Sequence, residues 1–225
     1  MPIHREINQS FFKKWTSDMA YILGFIYADG NIVESKRGTH FIAIYTADKP
    51  LLYGMRRSMQ SAHKISERRS ISGVVYRIQI GSKEICADLG KLGLTPRKSK
   101  RMTLPNIPDA YAGDFIRGYF DGDGNIWLGL LHRKRPTSTT GLILGFTSAS
   151  FEFLASLLKK VRQFGIRGGS IRISKQGNYT RLTFSTLDAL KIYEIMYNAP
   201  HKLYLSRKKL VFDRYKEKKR LAPVV

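Results

Sequence analysis

The chain has 225 residues, and 39 Lys+Arg against 17 Asp+Glu give a formal net charge of +22. A hydrophobic fraction of 43% suffices for packed cores and excludes a disordered basic tail; no run of about 18 apolar residues exists, which excludes a membrane-spanning helix. The stretch after Met1 carries no apolar signal segment, and a lone cysteine, Cys86, excludes an internal disulfide and fits an intracellular, reducing compartment rather than secretion.

A folded chain with this charge calls for a polyanion. The basic residues recur in short clusters, from Lys13-Lys14 to Lys218-Lys219-Arg220, instead of lining one amphipathic helix. Nucleic acid is the expected partner. From charge alone, a general RNA-binding protein with a solvated basic coat fits equally well.

In chain order, a helix is expected first, with Thr16 or Ser17 as N-cap and Gly30 as a suitable C-terminal stop. An apolar run, Phe41 to Thr46, follows, then a helical pattern over Leu51–Met59. A turn near Ser72-Gly73 leads into Tyr76–Ile80, whose alternation reads as a strand, and Ile85–Leu92 reads as a helix. After the proline-bearing joint 103–108 the series starts again. The segment Ile22–Gly30 returns as Ile116–Gly124, Phe41–Thr46 matches Leu142–Thr147, and helical stretches follow at Phe153–Phe164 and Ala189–Tyr197. Between those two stretches, Ser170–Ser174 and Arg181–Ser185 alternate around the turn Lys175-Gln176-Gly177-Asn178. The tail from Asp213 is charged and reads as helical.

The chain is thus α+β: two pseudo-symmetric α-β-β-α-β-β-α subdomains, each a four-stranded antiparallel sheet with helices. We divide it into a first subdomain at 1–102, a linker at 103–108 and a second subdomain at 109–225.

The repeated segment is a helix ending in a carboxylate. Ala20, Gly24 and Ala28 form one ridge, and Gly118 and Gly122 occupy the matching ridge. Glycine inside a helix costs about 0.5–1 kcal/mol relative to alanine, so its recurrence points to a close helix–helix contact through Gly24, Ala28, Gly118 and Gly122. Such packing brings Asp29 and Asp123 together, and adjacent carboxylates repel unless a cation or proton sits between them. Mg²⁺ suits hard oxygen ligands and bridges to phosphates; the plain alternative is that each aspartate only caps a turn. Asp121-Gly122-Asp123-Gly124-Asn125 begins like a calcium loop, but Ile126 and His132 stand where glycine and glutamate are required. One cysteine and five scattered histidines give no zinc spacing.

The stretches ILGFIYADG (Ile22–Gly30) and IRGYFDGDG (Ile116–Gly124) resemble the two signature motifs of the LAGLIDADG homing endonucleases, and the resemblance runs from about Phe11 to Phe212. It implies a pseudo-symmetric monomer joined through its motif helices. It further implies a Mg²⁺-dependent nuclease cutting both strands of a long, asymmetric double-stranded DNA target, with Mn²⁺ substituting and Ca²⁺ binding without supporting cleavage.

By the same resemblance Asp29 and Asp123 bind metal, helped by the carbonyls of Ala28 and Gly122. Lys98 and Lys208 order the catalytic waters, with Lys100 and Lys209 as competing positions. Tyr27 stands where the motif carries an earlier acid, which Asp121 keeps. The polar position past each second strand is Ala47 in one copy and Ser148 in the other. Sheet-face and hairpin residues contact DNA: Lys36, Arg37, Arg68, Arg77, Gln79, Arg133, Lys134, Arg135, Arg172, Ser174, Arg181 and Thr183. The rival reading is a catalytically silent or bifunctional binding protein on the same scaffold, a transcription regulator or intron maturase. No intein flank is recognisable, so the chain reads as free-standing and encoded by an intron or similar mobile element.

Overall fold

The structure, a computed structural model, describes residues 5–34, 40–71, 73–96, 98–131 and 139–221. The first helix, α1 (Ser17–Asp29), starts at Thr16, whose hydroxyl oxygen accepts the Met19 N–H at 3.1 Å. Every residue from Met19 to Tyr27 is buried, so this helix has no solvent face and belongs to the molecule's centre. It stops at Gly30, but not in a left-handed turn: Gly30 has φ −94° and opens a strand directly. Glycine is needed there because a Cβ would lie 2.5 Å from Ile26 Cγ2 and 2.7 Å from the Ile26 carbonyl oxygen.

Strands β1 (Gly30–Glu34) and β2 (His40–Thr46), helix α2 (Lys49–Ser58), strands β3 (Ile65–Ser70) and β4 (Gly73–Gly81) and helix α3 (Lys83–Lys91) complete the first lobe. Asp48 and Ser82 cap α2 and α3 by accepting the Leu51 and Ile85 N–H groups, the expected chemistry for these side chains. The strands pair antiparallel in the order β1-β2-β4-β3. Ile42, Ile44, Ile78 and Ile80 form the buried face, covered by Leu51, Leu52 and Met55 of α2 and Ile85 and Leu89 of α3.

The second lobe repeats this with α4 (Asp109–Asp123), β5 (Gly124–Leu131), β6 (Thr139–Ser148), α5 (Phe151–Gln163), β7 (Ser170–Ile173), β8 (Thr180–Ser185) and α6 (Thr186–Tyr197). Its sheet order is β5-β6-β8-β7. It adds α7 (Ser206–Leu221), which begins before the expected Asp213 and carries Lys208 in its first turn. The second copy is therefore one helix longer than the repeat predicts.

Strand register moves one expected correspondence by a residue. Gly30 pairs with Ile44 and Gly124 with Phe146, so Ile44 matches Phe146 and Thr46 matches Ser148, not Thr147. The local hydrogen bonds agree: Thr46 Oγ1 accepts from Asp48 N, and Ser148 Oγ from Ser150 N, both at 3.0 Å.

Between the lobes, Met102 and Ile107 are buried. The Ser150 hydroxyl donates to the Met102 carbonyl at 2.6 Å and Lys160 Nζ to the Ile107 carbonyl at 3.0 Å. The connecting segment therefore lies against α5. One hydrophobic core runs through both lobes. Among the described residues no helix is long and apolar enough to cross a membrane.

Candidate active site at the paired helix ends

Helices α1 and α4 meet backbone to backbone. A Cβ on Gly24 would fall 2.1 Å from the Phe115 carbonyl oxygen and 3.0 Å from Tyr119 N; one on Gly118 would fall 2.0 Å from the Tyr21 carbonyl oxygen and 3.0 Å from Phe25 N. These contacts are reciprocal under the repeat, since Phe115 and Tyr119 are the counterparts of Tyr21 and Phe25. A local two-fold axis therefore passes between the helices. One turn further on, a Cβ on Gly122 would lie 2.3 Å from Ala28 Cβ and 3.3 Å from Asp29 Oδ2. The four expected interface positions are all at the seam.

The same geometry brings Asp29 and Asp123 to one place, where the C-termini of both helices converge. Neither helix has a basic residue in its last turn, so two negative dipole ends and two carboxylates share the site. The tip of Asp29 is open to solvent, yet protein crowds its carboxyl. That desolvation, and then the Asp123 charge, push its pKa up to about 6 against the pull of Lys208 and Lys98. Asp123 is half-buried and shifts upward as well, through burial, with Lys98 and Lys208 opposing.

The two lysines are the compensating charges. Lys98 Nζ donates to the carbonyl oxygens of Tyr27 at 2.5 Å and Ala28 at 3.4 Å. Lys208 Nζ reaches those of Phe120 (2.6 Å), Asp121 (2.8 Å), Gly122 (3.4 Å) and Gly124 (2.6 Å). Asp121 and Gly122 are the counterparts of Tyr27 and Ala28, so the lysines are equivalent by structure although they sit on unlike elements. Lys98 opens a 3-10 turn, Lys98–Lys100, whereas Lys208 sits in α7. Burial lowers both pKa values to about 8, while Asp29 and Asp123 pull the other way. The competitors lie elsewhere: Lys100 is exposed, and Lys209 pairs with Asp213 at 2.9 Å.

The donor set fits a hard divalent cation. Among the described residues no cluster of three or more His, Cys, Asp or Glu exists, so ligands beyond the two aspartates must be carbonyls, water or phosphate. The Ala28 and Gly122 carbonyls stand beside the carboxylates, each only loosely approached by a lysine at 3.4 Å. Oxygen ligands of this kind, two of them charged, are what Mg²⁺ takes.

The expected DNA-contacting residues divide into groups. Register places Arg68, Arg77 and Gln79 on the solvent face of the first sheet with Tyr45, and Arg172, Arg181 and Thr183 on that of the second. Ser174 lies past the end of β7. Its hydroxyl donates to Asn178 Oδ1 at 2.7 Å and accepts the Asn178 N–H, so it is committed to the turn. Lys36, Arg37, Arg133, Lys134 and Arg135 lie outside the described residues. Ser148 is buried, its oxygen engaged by the Ser150 N–H.

Sequence reasoning missed the asparagines Asn31 and Asn125, which share these faces. Arg181 Nη2 donates to Asn125 Oδ1 at 2.9 Å, lying across Gly145, where a Cβ would come 3.1 Å from Arg181 Nε. In the first lobe Ala43 takes the place of Gly145, and no such bond joins Arg77 to Asn31. The signal was in the sequence, as a glycine within an apolar run on β6. Trp127, 38% exposed, lies over Gly129 on the same face.

Tyr27 and Asp121 do unlike work at matching positions. The Tyr27 hydroxyl donates to the Leu92 carbonyl at 2.6 Å. Asp121 is buried, and its Oδ2 accepts the Tyr21 hydroxyl at 2.7 Å and the Leu205 N–H at 2.8 Å.

Fold and site together define a class: a two-lobed α+β protein whose duplicated halves join through paired helices that end in a common acidic centre. Within that class, residues 16–92 match the model of the LAGLIDADG-like domain. The whole fold is similar to that of LAGLIDADG homing endonucleases. The meganuclease I-SmaMI bound to uncleavable DNA has a TM-score of 0.62 at 15% identity, with 89% of this chain and 90% of that one covered. The homing endonuclease I-WcaI bound to its DNA recognition sequence has a TM-score of 0.58 at 18% identity, covering 90% of each chain. I-DmoI in complex with DNA and Ca has 0.59 at 15%, covering 92% of this chain and 99% of that one. No curated protein sequence matches the chain. The family resemblance carried by the two motifs is thereby shown: in sequence for the first lobe, in fold for both.

Proposed function

We propose that the protein is a site-specific endonuclease that hydrolyses one phosphodiester in each strand of a long, asymmetric DNA duplex, using divalent metal. The observation that carries this reading is the meeting of Asp29 and Asp123 at paired helix ends, flanked by Lys98 and Lys208 in matching contacts. Two such sets related by a local two-fold suit two antiparallel strands.

Asp29 and Asp123, with the Ala28 and Gly122 carbonyls, are the residues that would hold the metal. Bound there, Mg²⁺ would acidify water and neutralise charge developing on phosphate oxygens; Mn²⁺ is expected to substitute, and Ca²⁺ to bind without supporting cleavage. I-DmoI has been solved with its target DNA and Mn as well as with Ca. Lys98 and Lys208, still largely protonated near neutral pH, hold the helix ends and present ammonium groups to water and phosphate. The solvent faces of the two sheets, with Arg77, Gln79, Arg181 and Asn125, supply side chains of the kinds that read base edges in a major groove. One chain provides both halves, so a monomer suffices. The division into subdomains at 1–102 and 109–225 and a reducing intracellular setting are parts of the same proposal.

The test is selection of a bound site from a randomised duplex library, then cleavage of that site with Mg²⁺ or Mn²⁺. Asp29→Asn and Asp123→Asn should each lower cleavage by on the order of 10³-fold, the several kcal/mol a metal centre supplies, while binding persists. Tight binding with no cleavage in either metal would favour the binding-protein reading, and normal cleavage by both variants would place the chemistry elsewhere.

A further inference from the structure

Arg117 has no counterpart in the first lobe, where Leu23 holds the matching place in α1. It is 1% exposed. Its Nη2 donates to Asp114 Oδ1 at 2.7 Å, Nη1 to the Met196 carbonyl at 2.7 Å and Nε to the Leu203 carbonyl at 3.1 Å. Those two carbonyls stand at either end of the connection from α6 to α7. Neighbouring residues of α4 act on the same segment. Gly113 lets α4 approach α6, since a Cβ there would lie 2.1 Å from the Ile195 carbonyl oxygen. Asp121 accepts the Leu205 N–H, and the Leu205 carbonyl in turn accepts the Lys208 N–H at 3.0 Å. Asp114 is itself fixed from α1 by the Ser17 hydroxyl at 2.6 Å.

The first lobe lacks this apparatus. Ala20 stands where Asp114 does, Leu23 where Arg117 does, and the chain leading to Lys98 is tied to α1 by the single hydrogen bond from Tyr27 to Leu92. Stability alone accounts poorly for the difference, because buried ion pairs can often be exchanged for apolar packing without loss. Specifying the path of the connection accounts for it better. All three guanidinium nitrogens are used, two of them on main-chain carbonyls that apolar residues could not hold.

We propose that Arg117 is a positioning residue for the second centre: it fixes the α6–α7 connection so that Lys208 meets the end of α4, and thereby makes the two centres depend on different supports. This inference rests on the nuclease reading above.

The experiment uses the full chain on plasmid carrying the selected site, with each strand labelled. Lys98→Met and Lys208→Met first identify the strand each lysine serves. Arg117→Met should then leave nicked DNA, slowed on the order of 10- to 100-fold on the strand that Lys208→Met leaves uncut, a loss typical of small misplacement. Arg117→Lys, which keeps the charge and folds more readily, should show the same bias more weakly. Amide exchange at Leu205 in the DNA-free protein should quicken about tenfold or more in Arg117→Met. Equal slowing of both strands, a bias matching Lys98→Met, loss of both strands in either lysine variant, or unchanged Leu205 exchange would overturn the proposal. Wild-type protein that cuts no duplex removes only the nuclease reading, and the Leu205 amide then decides whether Arg117 holds the connection.

Discussion

At the scale of single residues, the site is organised by charges that are costly to keep. Lys98 and Lys208 hold their protons less tightly in the fold, near a pKa of about 8, than an unfolded chain would at 10.5. Between those values the unfolded chain carries more protons, so stability rises with pH across this window and the gain is complete only above the unfolded value. Asp29 and Asp121 do the reverse. Both are raised from 3.8 to about 6, so the folded chain holds more protons between these values and stability falls as pH climbs through that range. Urea melts of metal-free protein at several pH values should show both slopes. Lys98→Met with Lys208→Met should remove most of the alkaline rise; a rise of undiminished size in that variant would assign it to relief of surface repulsion instead.

The aspartates were legible because a repeated Asp-Gly at the end of a glycine-bearing helix points to little besides a shared acidic centre. The lysines were not legible from composition, since 39 basic residues offer no contrast; only the family resemblance singled them out. Arg117 escaped because a sequence does not distinguish a buried arginine from a solvated one. The available hint was its place in a motif helix whose first copy carries leucine there.

Among elements, the seam between α1 and α4 sets the tolerance of the whole. Gly24→Ala or Gly118→Ala would thrust a methyl group into the facing backbone, and neither helix can yield without moving its aspartate. Each change should destabilise by about 1–3 kcal/mol or more, lowering Tm by roughly 2–4 °C per kcal/mol. Gly90→Ala is the contrast: it lies in α3 with nothing within 4 Å of a Cβ, so it should be neutral or stabilising by about 0.5–1 kcal/mol. A Gly24→Ala variant as stable as wild type would show that the helices do not pack as described.

Elements with a clear period were read correctly from sequence, as β4 and β8 show. The misaligned pair was β2 and β6, where Phe41–Thr46 and Leu142–Thr147 are nearly all apolar and give alternation no phase. Their shared terminal threonine suggested a match that hydrogen-bond register corrects by one residue. The start of α7 was placed late because Arg207-Lys208-Lys209 was read as a basic patch, when Lys208 is a buried side chain on that helix.

Over the whole molecule, a net charge of +22 acquires a purpose once the acidic centre is located. Two carboxylates and two helix C-termini repel a phosphate backbone, and the surrounding lysines and arginines must outweigh that repulsion over a long duplex. Affinity for the selected DNA should therefore fall steeply with salt. For about six to ten phosphate contacts the loss is roughly 10³- to 10⁵-fold between 50 and 200 mM. Filter binding across that range, without divalent metal, measures the slope, and a flat response would remove duplex DNA as the partner.

The reciprocal approach of Gly24 to Phe115 and of Gly118 to Tyr21 also bears on how the two halves can change with time. Each helix presents the other with the same hole and the same carbonyl, so a substitution at the axis must be answered on the opposite side. No such debt attaches to the sheet faces, where Ala43 and Gly145 already differ and only one arginine leans across. Drift is therefore free at the periphery and locked at the axis. A chain built this way can acquire a new target one lobe at a time while its centre stands still.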